Sequence, residues 1–315
     1  MGAADWNDGL NAVGYAGRGE SVWVAHFLHF LLREWAELPV LDKPERERFK
    51  HEAEALREAA NTHGWDGEWY LRATTDDGAL VGSASNIEGR IFLNAQTWAL
   101  IGGTASPERA RQAMDAARKH LFKEYGPLLL APAYSVPDPS IGYLTRYAPG
   151  TRENGGLYTH AACWALLAER MAGSAETAYQ LWRTFCPVLR GMDPDKYMAE
   201  PYVTPGNVDG PTSALPGRGG WSWYTGSAQW YLRAMVDGIL GIEATLDGLH
   251  VAAQLPEGWP SFSVTRKYRG ACYDITVRRA EPGEALGTTV DGSPVSGDLL
   301  PIVPAGARCE VEIRL

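Results

Sequence analysis

The sequence predicts a mostly α fold, a row of helix pairs followed by a small antiparallel β domain. Apolar residues recur at helical spacing up to about residue 240. Short and long connections alternate between the helices. After Ile242 the pattern changes to strict apolar–polar alternation bounded by Gly, Pro and Asp. Alternating short and long loops are what an α/α toroid produces, with inner helices carrying long loops on one face. The domains are therefore drawn at 1–241 (helical) and 242–315 (β).

The first helix is expected from Ser21 to Glu37, where Trp23, His26, Phe27, Phe30 and Leu31 share one face. Asp42 and Pro44 mark the start of a second, to Asn61. A third covers Ile91 to Ile101, and a fourth runs from Ser106-Pro107 to Phe122. The fifth spans Leu157 to Met171, the sixth Ala175 to Leu189 and the seventh Gly226 to Leu240. Long Gly- and aromatic-rich loops (1–20, 64–90, 123–156, 190–225) lead into the first helix of each pair. The segments "GLHVAAQLP", "FSVTRKYRG", "CYDITVRRA" and "CEVEIRL" read as strands.

Composition narrows the function classes. With 315 residues and 45% apolar content, the chain can bury a sizeable core. Its formal charge of −9 and lack of a basic aromatic run argue against nucleic acid. No apolar run is long enough to span a bilayer, and the N-terminus does not read as a signal peptide. Cys163, Cys186, Cys272 and Cys309 are scattered and read as free thiols of a reducing compartment, so a cytoplasmic location is expected. His26, His29, His51 and His63 lack ligand spacing, so no metal site is expected, and the GxG fragments follow no strand. The excess of 12 Trp and 14 Tyr is most often core, and is also what a sugar cleft uses for its apolar ring faces.

One stretch in each long loop carries chemistry: "DWNDGLNAVGYAGRGESVW", "WYLRATTDDGALVGSASNIEGRIFLNAQTWAL", "GTRENGGLYTHAACW", and "EPYVTPGNVDGP" with "GRGGWSWYTGSAQW". Collinear and at compatible spacing, they resemble family 94 of the glycoside hydrolases, the inverting disaccharide phosphorylases. That family includes cellobiose and chitobiose phosphorylases and the C-terminal module of cyclic β-1,2-glucan synthases. The resemblance covers nearly the whole chain and implies the second half of an (α/α)6 toroid followed by a small β-sandwich.

It also implies phosphorolysis of a β-linked glucosyl disaccharide or oligosaccharide, giving α-glucose 1-phosphate. Inorganic phosphate is the co-substrate and no cofactor is expected. Inverting transfer needs an acid for the leaving oxygen and a nucleophile on the opposite face. Phosphate is already anionic and requires no base. The family's general acid matches Asp8, and Trp6 shares its loop. An ordinary carboxyl is about one part in a thousand protonated at pH 7, so a partly buried site beside Trp6 is expected. The family's phosphate-binding positions match His160, Thr225 and Gly226, each at a helix start where free N–H groups and the helix dipole favour anions. Arg152, Glu153 and Asn154 match acceptor-sugar positions. Asp5 reads more readily as an Asx turn, and Gly206 stands where cellobiose-type enzymes carry a donor-contacting Gln.

In the family the DWNDG loop lies mid-barrel, so the chain reads as truncated at its N-terminus. The expected partners are a small saccharide and phosphate, with the missing N-terminal half or a homodimer partner completing the site. Two alternatives stand beside this. An inverting hydrolase would use Glu153 or Glu200 as base, and a non-catalytic carbohydrate-binding subunit would use the same loops without turnover.

Overall fold

The computed structural model describes residues 1–315. Nine α-helices precede the β region: α1 (Val22–Ala36), α2 (Lys43–His63), α3 (Leu93–Ile101), α4 (Pro107–Leu121), α5 (Thr159–Ala172), α6 (Ala175–Phe185), α7 (Pro187–Arg190), α8 (Pro194–Tyr197) and α9 (Thr225–Arg233). Side chains set several starts. Ser21, Asp42, Ser106 and Ser174 accept from the first turns of α1, α2, α4 and α6, and Asp42 completes a capping box with Glu45.

Two expected helices end early. The sixth stops at Phe185, because Pro187 lacks an N–H and drives Cys186 to an extended conformation. The seventh is α-helical only to Arg233 and continues as a π-turn over Ala234–Ile239. The third and fifth begin two residues late, because Ile91–Phe92 and Leu157–Tyr158 form short strands first.

The helices form a row: α1 packs on α2 and α3, α3 on α4 and α5, and α5 on α6 and α9. Composition explains which are inner. Every residue from Leu93 to Leu100 is buried, and α5 is buried from Ala161 to Leu166. The charged α2 and α4 keep wide solvent faces. Alanines 161, 162, 165 and 168 let α5 approach its neighbours closely.

Main-chain hydrogen bonds tie the long loops to one another and to α1. Ala12 N–H donates to Ile141 O (3.3 Å), Val22 N–H to Arg72 O (3.1 Å), Gly89 N–H to Pro132 O (2.8 Å) and Gly210 N–H to Gly150 O (2.7 Å).

The C-terminal region holds a five-stranded sheet in the order Ser261–Tyr268, Ala271–Arg278, Arg308–Arg314, Gly287–Val290, Ser293–Val295. A two-stranded ribbon, Ile242–Ala244 with Leu249–Val251, shares its core. All pairings are antiparallel except one. Ala271–Arg278 runs parallel to Arg308–Arg314, so Tyr273 faces Cys309, Ile275 faces Val311 and Val277 faces Ile313. Alternation fixes which face a strand buries but not the direction of its neighbour. The chain returns along 296–307, which carries the last strand into the sheet centre.

Candidate active site

The site is built on the loop before α1. Asp5 accepts from its own loop at Asn7 N–H (2.9 Å), from Ser21 Oγ (2.6 Å) and from Arg72 Nη2 (2.6 Å). The Arg72 and Asp5 side chains are 1% and 3% exposed. Burial works against the Asp5 charge, but Arg72, Ser21 and the Asn7 N–H outweigh it and hold the carboxyl below its usual value. Asp5 is therefore an anchor. Three residues on, Asp8 opens a 3-10 turn packed on the turn Tyr143–Arg146.

Trp6 leans on the start of α5. Its ring centroid lies 5.3 Å from His160, 5.4 Å from Tyr158 and 5.0 Å from Trp164. The far side of His160 meets Trp230 of α9 at 5.8 Å. Burial pushes the His160 pKa down to about 4, so the ring is neutral at pH 7. Its Nε2 and the Thr159 hydroxyl are buried without a partner.

Helices α5 and α9 both begin without a side-chain cap. The residues preceding them, Tyr158 and Tyr224, place their hydroxyls 3.1 Å apart. Buried Ser227 in the first turn of α9 bonds Tyr224 O and Pro205 O (2.8 and 3.3 Å). Two helix starts without side-chain caps are thus bridged by the tyrosine hydroxyls, and the first N–H of α5, at Thr159, donates to Gly206 O (2.9 Å). Thr225 and Gly226 are exposed, and a Cβ on Gly226 would meet nothing within 4 Å. Thr225 also borders an apolar groove of about 530 Å³. Asp8, Trp6 and His160 do not line that groove.

Asp8 is exposed, which corrects the expectation of a partly buried acid. Its loop turns the carboxylate outward, toward the Tyr143 hydroxyl. Burial and that carboxylate together raise the Tyr143 pKa. Glu153 is 6% exposed, and its Oε2 lacks a hydrogen-bond partner. Burial raises its pKa, Arg152 opposes this, and Asp8 adds to it. Arg152 stands 3.6 Å from Glu153 and is clamped between the rings of Tyr147 (4.2 Å) and Trp221 (3.7 Å).

Asn154 is a second correction. It is fully buried, with Oδ1 accepting from Tyr134 N–H and Nδ2 donating to Tyr134 O and Tyr147 O. The amide is consumed in holding the loop and cannot bind a sugar.

Glu200 accepts from Trp223 Nε1 at 3.1 Å. A Cβ on Gly206 would come within 3.1 Å of Trp221 Cβ, so Gly206 lets the Trp221 loop close in. The structure thus joins Trp6 with His160, Arg152 with Glu153, and Glu153 with the field of Asp8. It links Thr225 to the α5 start through the tyrosine pair. Sequence reasoning missed Arg72, Tyr143, Tyr158 and Tyr224. Only Arg72 left a signal, as the one cation in "WYLRATTDDG".

Residues 1–241 match the glycosyl hydrolase 94 superfamily catalytic domain. The chain is 38% identical to the solabiose phosphorylase of Paenibacillus borealis, over 99% of this chain and 41% of that protein. It is 41% identical to the cyclic β-(1,2)-glucan synthase NdvB of Rhizobium meliloti strain 1021, over 94% of this chain and 11% of that protein. It is 37% identical to an N,N'-diacetylchitobiose phosphorylase of Vibrio proteolyticus, over 95% of this chain and 38% of that protein. The chain thus spans about two fifths of the length of these phosphorylases, in their C-terminal portion. A glycosidase solved with glucose shares the fold, with TM-score 0.50 and 14% identity over 75% of this chain and 55% of its own. No helix is long and apolar enough to cross a membrane.

Two outcomes follow from this geometry. Arg72→Met leaves Asp5 buried and unpaired, so urea unfolding should show a loss of about 3–5 kcal/mol, partly recovered when Asp5→Asn is added. The His160 ring should titrate by NMR near pH 4. Between that value and the ordinary 6.5 the unfolded chain binds a proton that the native chain does not. Stability is therefore complete above pH 6.5 and should fall as the pH drops through this window, as a lower thermal midpoint at pH 5 than at pH 7.

Proposed function

The chain belongs to the glycosyl hydrolase 94 superfamily, and on that premise we propose that it carries the phosphate- and acid-bearing part of an inverting phosphorylase. The substrate is a β-linked glucosyl disaccharide or oligosaccharide, and the products are α-glucose 1-phosphate and the shortened sugar. In reverse the same site transfers glucose to an acceptor. The row of helices is read as the second half of an (α/α)6 toroid. The glycosyl hydrolase 94 match and relatives named as phosphorylases support the reaction class.

The observation that carries the reading is the pair of uncapped helix starts joined through Tyr158 and Tyr224, with the unpartnered His160 Nε2 beside them. Main-chain N–H groups at such ends suit a phosphate, and a neutral His160 can donate one hydrogen bond to it. A phosphate oxygen attacks the anomeric carbon as the glycosidic C–O bond breaks on the opposite face. Asp8 gives its proton to the departing oxygen, and the configuration inverts from β to α. Trp6 walls the site, and Arg152 and Glu153 offer a donor and an acceptor to sugar hydroxyls. The clamp of Tyr147 and Trp221 fixes the Arg152 guanidinium before substrate arrives.

Phosphate dependence of sugar release separates this reaction from hydrolysis on the same residues. Saturable sugar binding without turnover would instead favour a binding subunit.

Asp8→Asn should cut phosphorolysis of a disaccharide by about 10²–10⁴-fold. An activated aryl glucoside, whose leaving group needs no proton, should keep much more of its rate. Equal losses on both would make Asp8 a sugar ligand.

His160→Ala and Thr225→Ala should each raise the KM for phosphate by about tenfold to a hundredfold, with little effect on the sugar KM. Residual phosphate affinity should survive both changes, because the main-chain donors remain. Loss of sugar affinity with phosphate affinity intact would move these residues to the acceptor site.

A further inference from the structure

Asp8 and Tyr143 each open a 3-10 turn, Asp8–Leu10 and Tyr143–Arg146, and the two turns pack on each other. Polar and apolar contacts lock the joint. Tyr143 N–H donates to Asn11 Oδ1 at 3.0 Å, and Ala12 N–H to Ile141 O at 3.3 Å. Leu10 and Leu144 are fully buried in one cluster. No side chain fits where the backbones meet. A Cβ on Gly9 would come 2.7 Å from Leu144 Cβ, and one on Gly142 would come 2.5 Å from Gly9 O. Gly142 also has φ of 131°, which favours glycine. The joint leaves the Tyr143 hydroxyl facing the Asp8 carboxylate.

The Tyr143 ring is itself held. Its centroid lies 6.0 Å from that of Tyr147, edge to face. The Arg152 guanidinium sits 4.2 Å from the Tyr147 ring and 3.6 Å from Glu153. One line of contacts thus runs from the acid to the groups read as sugar ligands.

The chemistry of the neighbour suits an acid. The arginines of these loops are taken, Arg72 by Asp5 and Arg152 by Glu153. A cation on Asp8 would hold it ionised, and an ionised carboxyl has no proton to give. A phenol is neutral, and burial and the Asp8 carboxylate raise its pKa, so it keeps its proton at pH 7. Its O–H can donate to one Asp8 oxygen and leave the other for the glycosidic oxygen. That hydrogen bond becomes charge-assisted as the proton leaves Asp8, so it strengthens in the transition state. Tyr143 keeps its own proton throughout.

We propose that Tyr143 is a positioning residue for Asp8, holding one carboxyl oxygen so that the other faces the departing sugar oxygen. The inference rests on the phosphorylase reading and adds to it a residue that lies outside the sequence motifs.

The test is Tyr143→Phe in the whole chain, which keeps the ring against Tyr147 and removes only the hydroxyl. With disaccharide and phosphate, kcat should fall about tenfold while both KM values change little. An activated aryl glucoside should lose much less. In the Asp8→Asn background the same change should cost nothing further. Carbon-13 NMR of carboxyl-labelled aspartate reads the contact without turnover. The resonance lost in Asp8→Asn should shift in Tyr143→Phe, with the thermal midpoint unchanged. Should the midpoint fall, Asp8→Asn gives the reciprocal reading, a shift of the Tyr143 ring signals. An Asp8 resonance that ignores Tyr143→Phe overturns the proposal. So does a raised sugar KM with kcat kept, which would make Tyr143 a sugar ligand. A chain without phosphorolysis but with the two resonances coupled counts against the catalytic reading alone.

Discussion

Everything at the site hangs on one buried ion pair. Arg72 reaches from the second long loop to Asp5 in the first, and both also bond Ser21 Oγ, which caps α1. One hydroxyl thus starts a helix and closes the anchor. The pair is costly to bury, and hydrogen bonds from Ser21 Oγ and the Asn7 N–H to Asp5, and from Arg72 to Ser21 Oγ, offset part of that cost. It sets where Trp6 and Asp8 stand, and through Trp6 it fixes the loop against α5. A surface ion pair could not do this, since its partners would be free to separate.

The second constraint is aromatic. Trp6, Trp23, Trp98, Trp164 and Trp230 form a connected set of ring contacts along the inner helices, and His160 closes it by meeting Trp6, Trp164 and Trp230. Edge-to-face and tilted contacts dominate, as the ring quadrupole favours. They hold the histidine in an apolar surround, which keeps it neutral. Left-handed backbone at Arg152, Trp221 and Trp223 adds local strain beside the same cluster. Strain of about 1–3 kcal/mol per residue persists only where the surroundings over-determine it. Here the Arg152–Trp221 stack and the closeness allowed by Gly206 provide that hold.

Helix starts were legible because their chemistry is local: Ser21, Asp42, Ser106 and Ser174 announce them within four residues. Helix ends were less so. The break at Cys186 needed only attention to Pro187, but the π-turn after Arg233 has no comparable signal. Trp6, His160, Arg152 and Glu153 could be nominated from the motifs. That Asn154 is spent on Tyr134 and Tyr147 could not, because its partners are main-chain groups brought near only by folding. The Tyr158–Tyr224 bridge was invisible for the same reason. In the sheet, alternation reported the buried face of Arg308–Arg314 and was silent on its direction.

Helix α5 has a consequence for how the chain folds. It lies mid-sequence as well as mid-row, and its alanine face touches α3, α4, α6 and α9. The helices it meets lie within a few elements of it along the chain, so the loop-closure entropy of each docking step is moderate. During synthesis α1 to α4 emerge before it, and α9 and the sheet after it. Each later segment then finds a surface already assembled. The search is stepwise along the row, and the transition state for the helical part is expected to centre on α5 and its neighbours.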